Sequence, residues 1–366
     1  MKLGSIQMLR ALAAIMVVFA HTIVGMGRFA VGWLQHTPVR TSLGIFGVDL
    51  FFVISGFVIY RSAGGLTGTN AAFSFLWHRF RRVNPVYYIA LLLTIIARLP
   101  AIHRHQLPPF TGNDYLASVI LFPYPGWTIP ILFQAWTLPF EWYYYSVFFL
   151  LILFGVHRKG RALGLLLGGM ILLGWLLRKV PLGFIGFYMD PYLYEFLLGV
   201  AIGYCYRRWT PGKITAWCLL LPGIALGLFW ILTGYHDIAR GPGFQTPAEL
   251  RLHAFCWGSS AALIIAGCVF LEKTGETILL FRHPFILLLG DASYSIYLFH
   301  MIVLGIIAAV YMRVGFFLTA DLAIPIHGIL EISGSLLFYK CVEKPLLTVL
   351  QKTRSPRPIP SPPVVP

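Results

Sequence analysis

Acidic residues are scarce in this chain. It holds thirteen Asp and Glu in 366 residues, and all charged residues together make up 11%. A soluble domain carries roughly 25% charged residues, so this scarcity excludes an ordinary water-facing surface. No polar stretch is long enough to fold as a soluble domain by itself. Cysteine is also sparse. Cys205, Cys218, Cys256, Cys268 and Cys341 form no CxxC pair and fall in or at the ends of apolar runs. That pattern excludes a disulfide framework and a thiolate metal site, and leaves them as small buried apolar side chains. Internal repeats are absent. Gly64-Gly65 is not followed by the Lys-Ser/Thr of a phosphate loop, so nothing supports nucleotide hydrolysis. His103 and His105 read as loop residues, and no metal site is expected anywhere in the chain.

What the chain has in abundance is apolar surface. Hydrophobic residues reach 58% and aromatics 16%, with ten Trp and eighteen Tyr, as expected where amphipathic rings populate membrane interfaces. The net charge is +15, from 28 basic against 13 acidic residues. In a soluble protein that balance points to nucleic acid. Here the basic residues cluster between apolar runs, so membrane orientation and anionic lipid headgroups account for them, and no nucleic-acid partner is expected.

Apolar runs near the roughly twenty residues needed to cross a bilayer fall at about 6–27, 43–60, 84–99, 135–156, 162–178, 190–206, 214–233, 252–271, 285–312 and 317–339. The expected fold is therefore all-α, a polytopic membrane helix bundle of about ten transmembrane helices, with the second and third runs extending into their flanks. Residues 1–345 form the membrane domain. Residues 346–366 form a short tail whose RSPRPIPSPPVVP stretch is too proline-rich for a helix and is expected to be disordered. The run Leu116–Phe122 is too short to cross and is followed by Pro123, Pro125, Gly126 and Pro130, so it reads as interfacial or re-entrant. The first run resembles a signal peptide, but Arg10 and His21 interrupt it and no small-x-small cleavage site follows. It reads as a retained first helix. With the N-terminus inside, eighteen Lys and Arg fall on the cytoplasmic side and nine on the other, which places both termini in the cytoplasm.

Arg10 and His21 are eleven residues apart in MLRALAAIMVVFAHTIVG. Eleven steps of a helix return to within about 20° of the same face and rise roughly 16 Å. A charged side chain at mid-membrane costs on the order of 2.5–3.5 kcal/mol on insertion scales, so such a stripe faces protein or a cavity. In the orientation above, Arg10 joins Arg79 and Arg82 of WHRFRRVNPVYY in an inner basic cluster. His21 joins Glu141 of WTLPFEWYYY, and Asp49 of GVDLFFVISGF, in an outer acid–base cluster. Three guanidiniums facing the cytoplasm suit a phosphorylated donor, because Arg binds phosphate bidentately and keeps its charge when desolvated. A histidine near a carboxylate suits general-base activation of a hydroxyl. The extended reach of coenzyme A fits that layout, with its phosphates held inside and its thioester threaded towards His21.

The same residues carry a resemblance to the acyltransferase-3 family of integral-membrane O-acyltransferases. The matching pieces are IQMLRALAAIMVVFAHT, GVDLFFVISGFVIY, RFRRVNPVYY, AWTLPFEWYYYSVFF, SYSIYLFH and VEKP, in order from residue 6 to 345. The WTLPFEWYYY stretch most resembles the branch that O-acetylates exopolysaccharides. The resemblance implies an acyl-CoA co-substrate, most simply acetyl-CoA, with no metal. It makes His21 the essential base, with Glu141 and Asp49 beside it as catalytic candidates, and Arg10, Arg79 and Arg82 donor-side residues. Trp136, Tyr144, Tyr294 and His300 are the substrate-binding candidates. The implied acceptor is a polysaccharide or lipid-linked glycan, the implied location a bacterial inner membrane, and polysaccharide export machinery a further partner. Two positions depart from the family pattern: His78, where relatives often carry a further basic residue, and Asn84, where an aromatic is common. In place of the SGNH-type extracytoplasmic domain of some relatives stands the proline tail, so acceptor handling is expected in the membrane domain or a partner.

Two other functional classes stay open at this stage. A secondary transporter or lipid-linked-sugar flippase also lines a pathway with intramembrane charges, although the duplicated halves typical of that class are missing. A non-catalytic scaffold of an export complex would not need Arg10 or His21. The intramembrane carboxylates Glu195, Asp291 and Glu331 have no partner assignable from sequence, and Glu343 reads as a structural ion-pair partner.

Overall fold

A computed structural model describes residues 2–27, 32–121, 130–158, 192–234, 252–276, 278–314 and 319–352, with isolated positions between 163 and 176. All regular structure among the described residues is helical. In chain order the helices are α1 (Gly4–Met26), α2 (Val39–Ala63), α3 (Thr69–His103), α4 (Gly112–Ile120), α5 (Leu138–Leu153), α6 (Tyr192–Arg208), α7 (Lys213–Thr233) and α8 (Ser259–Lys273). They continue with α9 (Pro284–Asp291), α10 (Ser293–Val314), α11 (Ala320–Phe338) and α12 (Lys344–Lys352). A π turn, Ala254–Gly258, leads into α8, and another, Tyr339–Glu343, joins α11 to α12.

Seven described helical stretches are long and apolar enough to cross a membrane: Gly4–Met26, Val39–Ala63, Thr69–His103, Lys213–Thr233, Ala254–Lys273, Ser293–Val314 and Leu322–Leu350. The chain is a multi-pass membrane protein. The expected run 135–156 is a 3-10 turn, Phe133–Thr137, followed by the sixteen-residue α5. The run 190–206 is the seventeen-residue α6. Both helices are shorter than the roughly twenty residues a span needs. The run 162–178 lies largely outside the described residues, as do residues 353–366 of the expected tail. Residues 346–352, placed in that tail from sequence, complete α12. The interfacial piece is α4, nine residues long, closed by a capping box between Thr111 and Asp114 and by Leu121 in the left-handed region at φ 52°. Its Tyr115, Leu116, Val119 and Ile120 are exposed, which suits a short helix lying along a membrane surface.

Helices α1 and α2 form the centre. α1 packs on α2, α8, α9, α10 and α11, while α2 packs on α1, α5, α6, α7 and α8. The small residues on α1, Ala11, Ala13, Ala14 and Ala20, are buried and let its neighbours approach closely. The rim helix α7 instead leaves Ile214, Leu221, Leu228 and Leu232 exposed, an apolar face of the kind lipid covers. α3 runs for 35 residues, about 52 Å at 1.5 Å per residue. That exceeds a hydrocarbon core of roughly 30 Å, so when its apolar second half fills the membrane, the charged segment His78–Arg82 stands at the interface.

The tightest crossing is that of α2 on α6. A Cβ built on Gly56 would meet the Phe196 carbonyl oxygen at 2.0 Å, and one on Gly199 would meet the Val53 carbonyl oxygen at 2.0 Å. Backbone lies against backbone at both points, so no side-chain rotation relieves a larger residue. Gly56→Val and Gly199→Val are each expected to destabilise by at least the ~1–3 kcal/mol typical of overpacking. The check is a lower thermal midpoint in detergent and a reduced level in the membrane.

Candidate active site

Three cavities adjoin one another along α1. The first is a basic vestibule of about 650 Å³, whose wall includes Lys2, Arg61, His78, Arg81 and Lys344. Arg10 and Arg82 belong both to this vestibule and to a smaller cavity of about 100 Å³ that also holds Arg79, Glu141 and Tyr294. Val48 and Tyr297 in turn belong both to that arginine cavity and to a third one, of about 240 Å³, which holds His21, Arg40, Gln134, Trp136 and Tyr192. The shared walls put the three in series, from a cationic mouth to a histidine.

The arginines come together because α1, the end of α2 and the start of α3 meet at one end of the bundle. Arg10 Nε donates to Ser293 Oγ at 3.0 Å, which orients the guanidinium from the start of α10. Arg79 donates to Ser62 Oγ and lies over the Phe75 and Tyr145 rings, at 5.2 and 5.6 Å from their centroids. Arg82 is exposed and donates no hydrogen bond to the described residues, so its fork is available to a ligand. Arg79 and Arg82 sit three apart on one helix and therefore share a face. Such an arrangement binds phosphate or carboxylate oxygens.

Glu141 enters this cavity rather than the one with His21. It accepts from Ser55 Oγ at 3.1 Å and from Tyr145 OH at 2.7 Å. The sequence grouping had put it beside His21, from its depth in the run 135–156. Depth does not fix the face a side chain takes, and α5 turns Glu141 towards the arginines. Tyr294 closes the same cavity and donates to the Val83 carbonyl at 3.0 Å.

His21 is paired instead with His300. Its Nδ1 lies 3.0 Å from His300 Nε2, and the ring centroids are 5.0 Å apart. Among the described residues no carboxylate hydrogen-bonds to His21. Trp136 shares its cavity and stands 5.4 Å, centroid to centroid, from Tyr192. Two aromatic rings beside a titratable imidazole make a surface for a flat, hydroxyl-bearing ligand. Tyr297 holds the partition between the cavities, its OH 3.2 Å from Thr137 Oγ1.

Two further candidates lie elsewhere. Asp49 is fully buried and lines none of these cavities. Its Oδ1 is 3.1 Å from His253 Nε2, whose distance to Glu195 Oε1 is 4.0 Å. The chain turns Val48 towards the cavities and Asp49, one residue on, away from them. Asp49, Glu195 and His253 place their ligand-capable atoms within 4.8 Å of one another, a metal-like grouping that sequence spacing did not reveal. Tyr144 is also buried, stacked on Phe196 at 3.8 Å within the core and away from the cavities. Of the carboxylates left unassigned, Asp291 pairs with Lys2 at 2.9 Å and Glu331 accepts from Thr22 at 2.8 Å, while Glu343, expected in an ion pair, accepts from Ser295.

Several site residues escaped the sequence reading, among them Ser55, Ser293, Arg61, Tyr145, Tyr192 and Gln134. Tyr145 is four residues after Glu141, a spacing that signals a shared helix face. Ser293 opens the SYSIYLFH segment. The others become visible only where helices meet.

Comparison with known proteins adds the family. A family model described as an acyltransferase domain matches residues 3–339. The chain is also 28% identical over 324 residues to the exopolysaccharide production protein ExoZ of Rhizobium meliloti (strain 1021), covering 86% of this chain and 92% of that protein. No solved structure matches the chain.

The arginine cavity carries its own test. Purified protein in detergent is expected to bind pyrophosphate, with affinity falling roughly tenfold in Arg82→Gln, the scale of one charge-assisted hydrogen bond. Glu141→Gln removes the negative charge facing the same space and is expected to tighten binding a few-fold. Isothermal titration that shows both variants equal to the parent would remove the cavity as an anion site.

Proposed function

The chain belongs to the acyltransferase family whose model it matches. From that premise we propose that it is a membrane O-acyltransferase, moving an acyl group, acetyl in the first instance, from cytoplasmic acyl-CoA to a sugar hydroxyl of an exported or cell-surface polysaccharide. The observation that carries this reading is the series of cavities: cationic vestibule, arginine cavity and His21 cavity, each sharing a wall with the next. Coenzyme A is a long donor with phosphates at one end and the thioester at the other. Its phosphates suit the Arg61, Arg81, Arg82 and Lys344 side chains, and its pantetheine arm reaches past Arg10 and Arg79 towards the Tyr297 partition.

The acceptor sugar lies on Trp136 and Tyr192, with its hydroxyl at His21. His21 takes the hydroxyl proton as the oxygen attacks the thioester carbonyl carbon. The carbon–sulfur bond breaks, and His21 returns the proton to the departing thiolate, giving an O-acyl sugar and free CoA. The printed name of the Rhizobium meliloti relative, an exopolysaccharide production protein, supports a polysaccharide acceptor. The reading also assigns the chain to a bacterial inner membrane with about ten spans, α5, α6 and the run 162–178 counted as short ones, both termini cytoplasmic, and export machinery close by.

The deciding experiment uses purified protein in liposomes with radiolabelled acetyl-CoA and a panel of glycans. The wild type is expected to label one of them. His21→Ala should lose at least ~10²-fold, the lower range of a general-base contribution, while keeping its level in the membrane. Full labelling by His21→Ala would remove this mechanism. Movement of a glycan without acyl-CoA, and without label transfer, would make the same cavities a transport pathway. The orientation has a separate check: reporters fused at each terminus are expected to be active only on the cytoplasmic side.

A further inference from the structure

The contact between His21 and His300 specifies more than proximity. His300 is fully buried on α10, and its Nδ1 lies 2.9 Å from the carbonyl oxygen of Ile296, one turn earlier on the same helix. A carbonyl oxygen only accepts, so His300 Nδ1 carries the hydrogen. A neutral imidazole has one such hydrogen, which leaves His300 Nε2 as a lone pair. The 3.0 Å contact from that nitrogen to His21 Nδ1 then needs its hydrogen from His21. His21 is therefore the Nδ1–H tautomer, and its Nε2 keeps a lone pair for the cavity it lines.

We propose that His300 is a positioning residue that holds His21 in the tautomer and orientation required of the base. The proposal rests on the acyl-transfer reading above and assigns His300 a role other than contact with the sugar. In the familiar hydrolase arrangement a carboxylate performs this task. Here the carboxylates are committed elsewhere, Glu141 to Ser55 and Tyr145, and Asp49 to His253. A neutral imidazole orients its neighbour without burying a second charge deep in the bundle, where charge is expensive. When His21 Nε2 takes the hydroxyl proton, its Nδ1–H stays bonded to His300, and the Nε2 proton is the one delivered to the CoA sulfur.

The test compares full-length wild type, His300→Leu and His300→Gln in nanodiscs. Leucine removes the acceptor. Glutamine restores one through its side-chain oxygen, and its amide can donate to Ile296. His300→Leu is expected to lower kcat roughly 10²-fold, the scale of a misaligned general base, with the KM for acyl-CoA unchanged because the arginine cavity is untouched. His300→Gln should recover at least tenfold of that loss. Nitrogen-15 NMR, with the His21 signals assigned by difference from His21→Asn, should show Nδ1–H in the wild type and its loss in His300→Leu. The proposal falls if wild-type His21 is protonated at Nε2, if His300→Leu keeps wild-type kcat, or if glutamine restores no more than leucine. A wild type inactive towards acyl-CoA, yet with His21 as Nδ1–H in a His300-dependent way, would sink the acyl-transfer reading and uphold the positioning.

Discussion

Helix α1 carries Arg10 and His21 through an otherwise apolar sequence, and neither side chain is cheap to leave in lipid. The bundle closes around that stripe. Five helices pack on α1, and the polar atoms that meet its two ionisable groups come from one of them, α10: Ser293 at the Arg10 end and His300 at the His21 end. These two partners are seven residues apart, two turns of a helix that runs alongside α1. Because Arg10 and His21 share one rigid element, the distance between guanidinium and imidazole is set by helix geometry and not by loops.

Around this axis the protein separates two environments. Cationic side chains gather where α1 begins, α2 ends and α3 begins, and exposed members such as Arg82 remain free to meet a ligand. At the other end a single imidazole faces an aromatic wall of Trp136 and Tyr192. Between them stand Val48 and Tyr297, which belong to both sides. A long substrate with charge at one end and its reactive carbon at the other matches this division. A small symmetric solute would use little of it. Glu141 sits among the arginines, where its charge offsets theirs, and among the described residues no carboxylate hydrogen-bonds to His21.

Much of the architecture was legible in the residues. Apolar runs located the helices, and their boundaries moved where polar flanks continued a helix, as in α3, whose start lies fifteen residues before the apolar run at 84. The inner cluster of Arg10, Arg79 and Arg82 was also legible, because positively charged segments gather on one side of a membrane and helical spacing keeps Arg79 beside Arg82. The outer cluster was not. Asp49 and Glu141 were placed by depth alone, and depth does not say which way a side chain turns. Asp49 turns to His253 and Glu195, Glu141 to Ser55 and Tyr145, and Tyr144 into the aromatic core.

Composition and periodicity alone determine that this chain crosses a membrane many times and that α1 presents a cation and an imidazole on one face. Both follow from local properties, the hydrophobicity of a run and the 3.6-residue turn. Tertiary structure decides which groups meet that face. His300 is 279 residues from His21 in the chain, and the 3.0 Å contact exists because α1 and α10 pack side by side. No local rule encodes a pairing between distant helices. It arises because a buried imidazole needs a partner for each nitrogen, and only the assembled bundle supplies one.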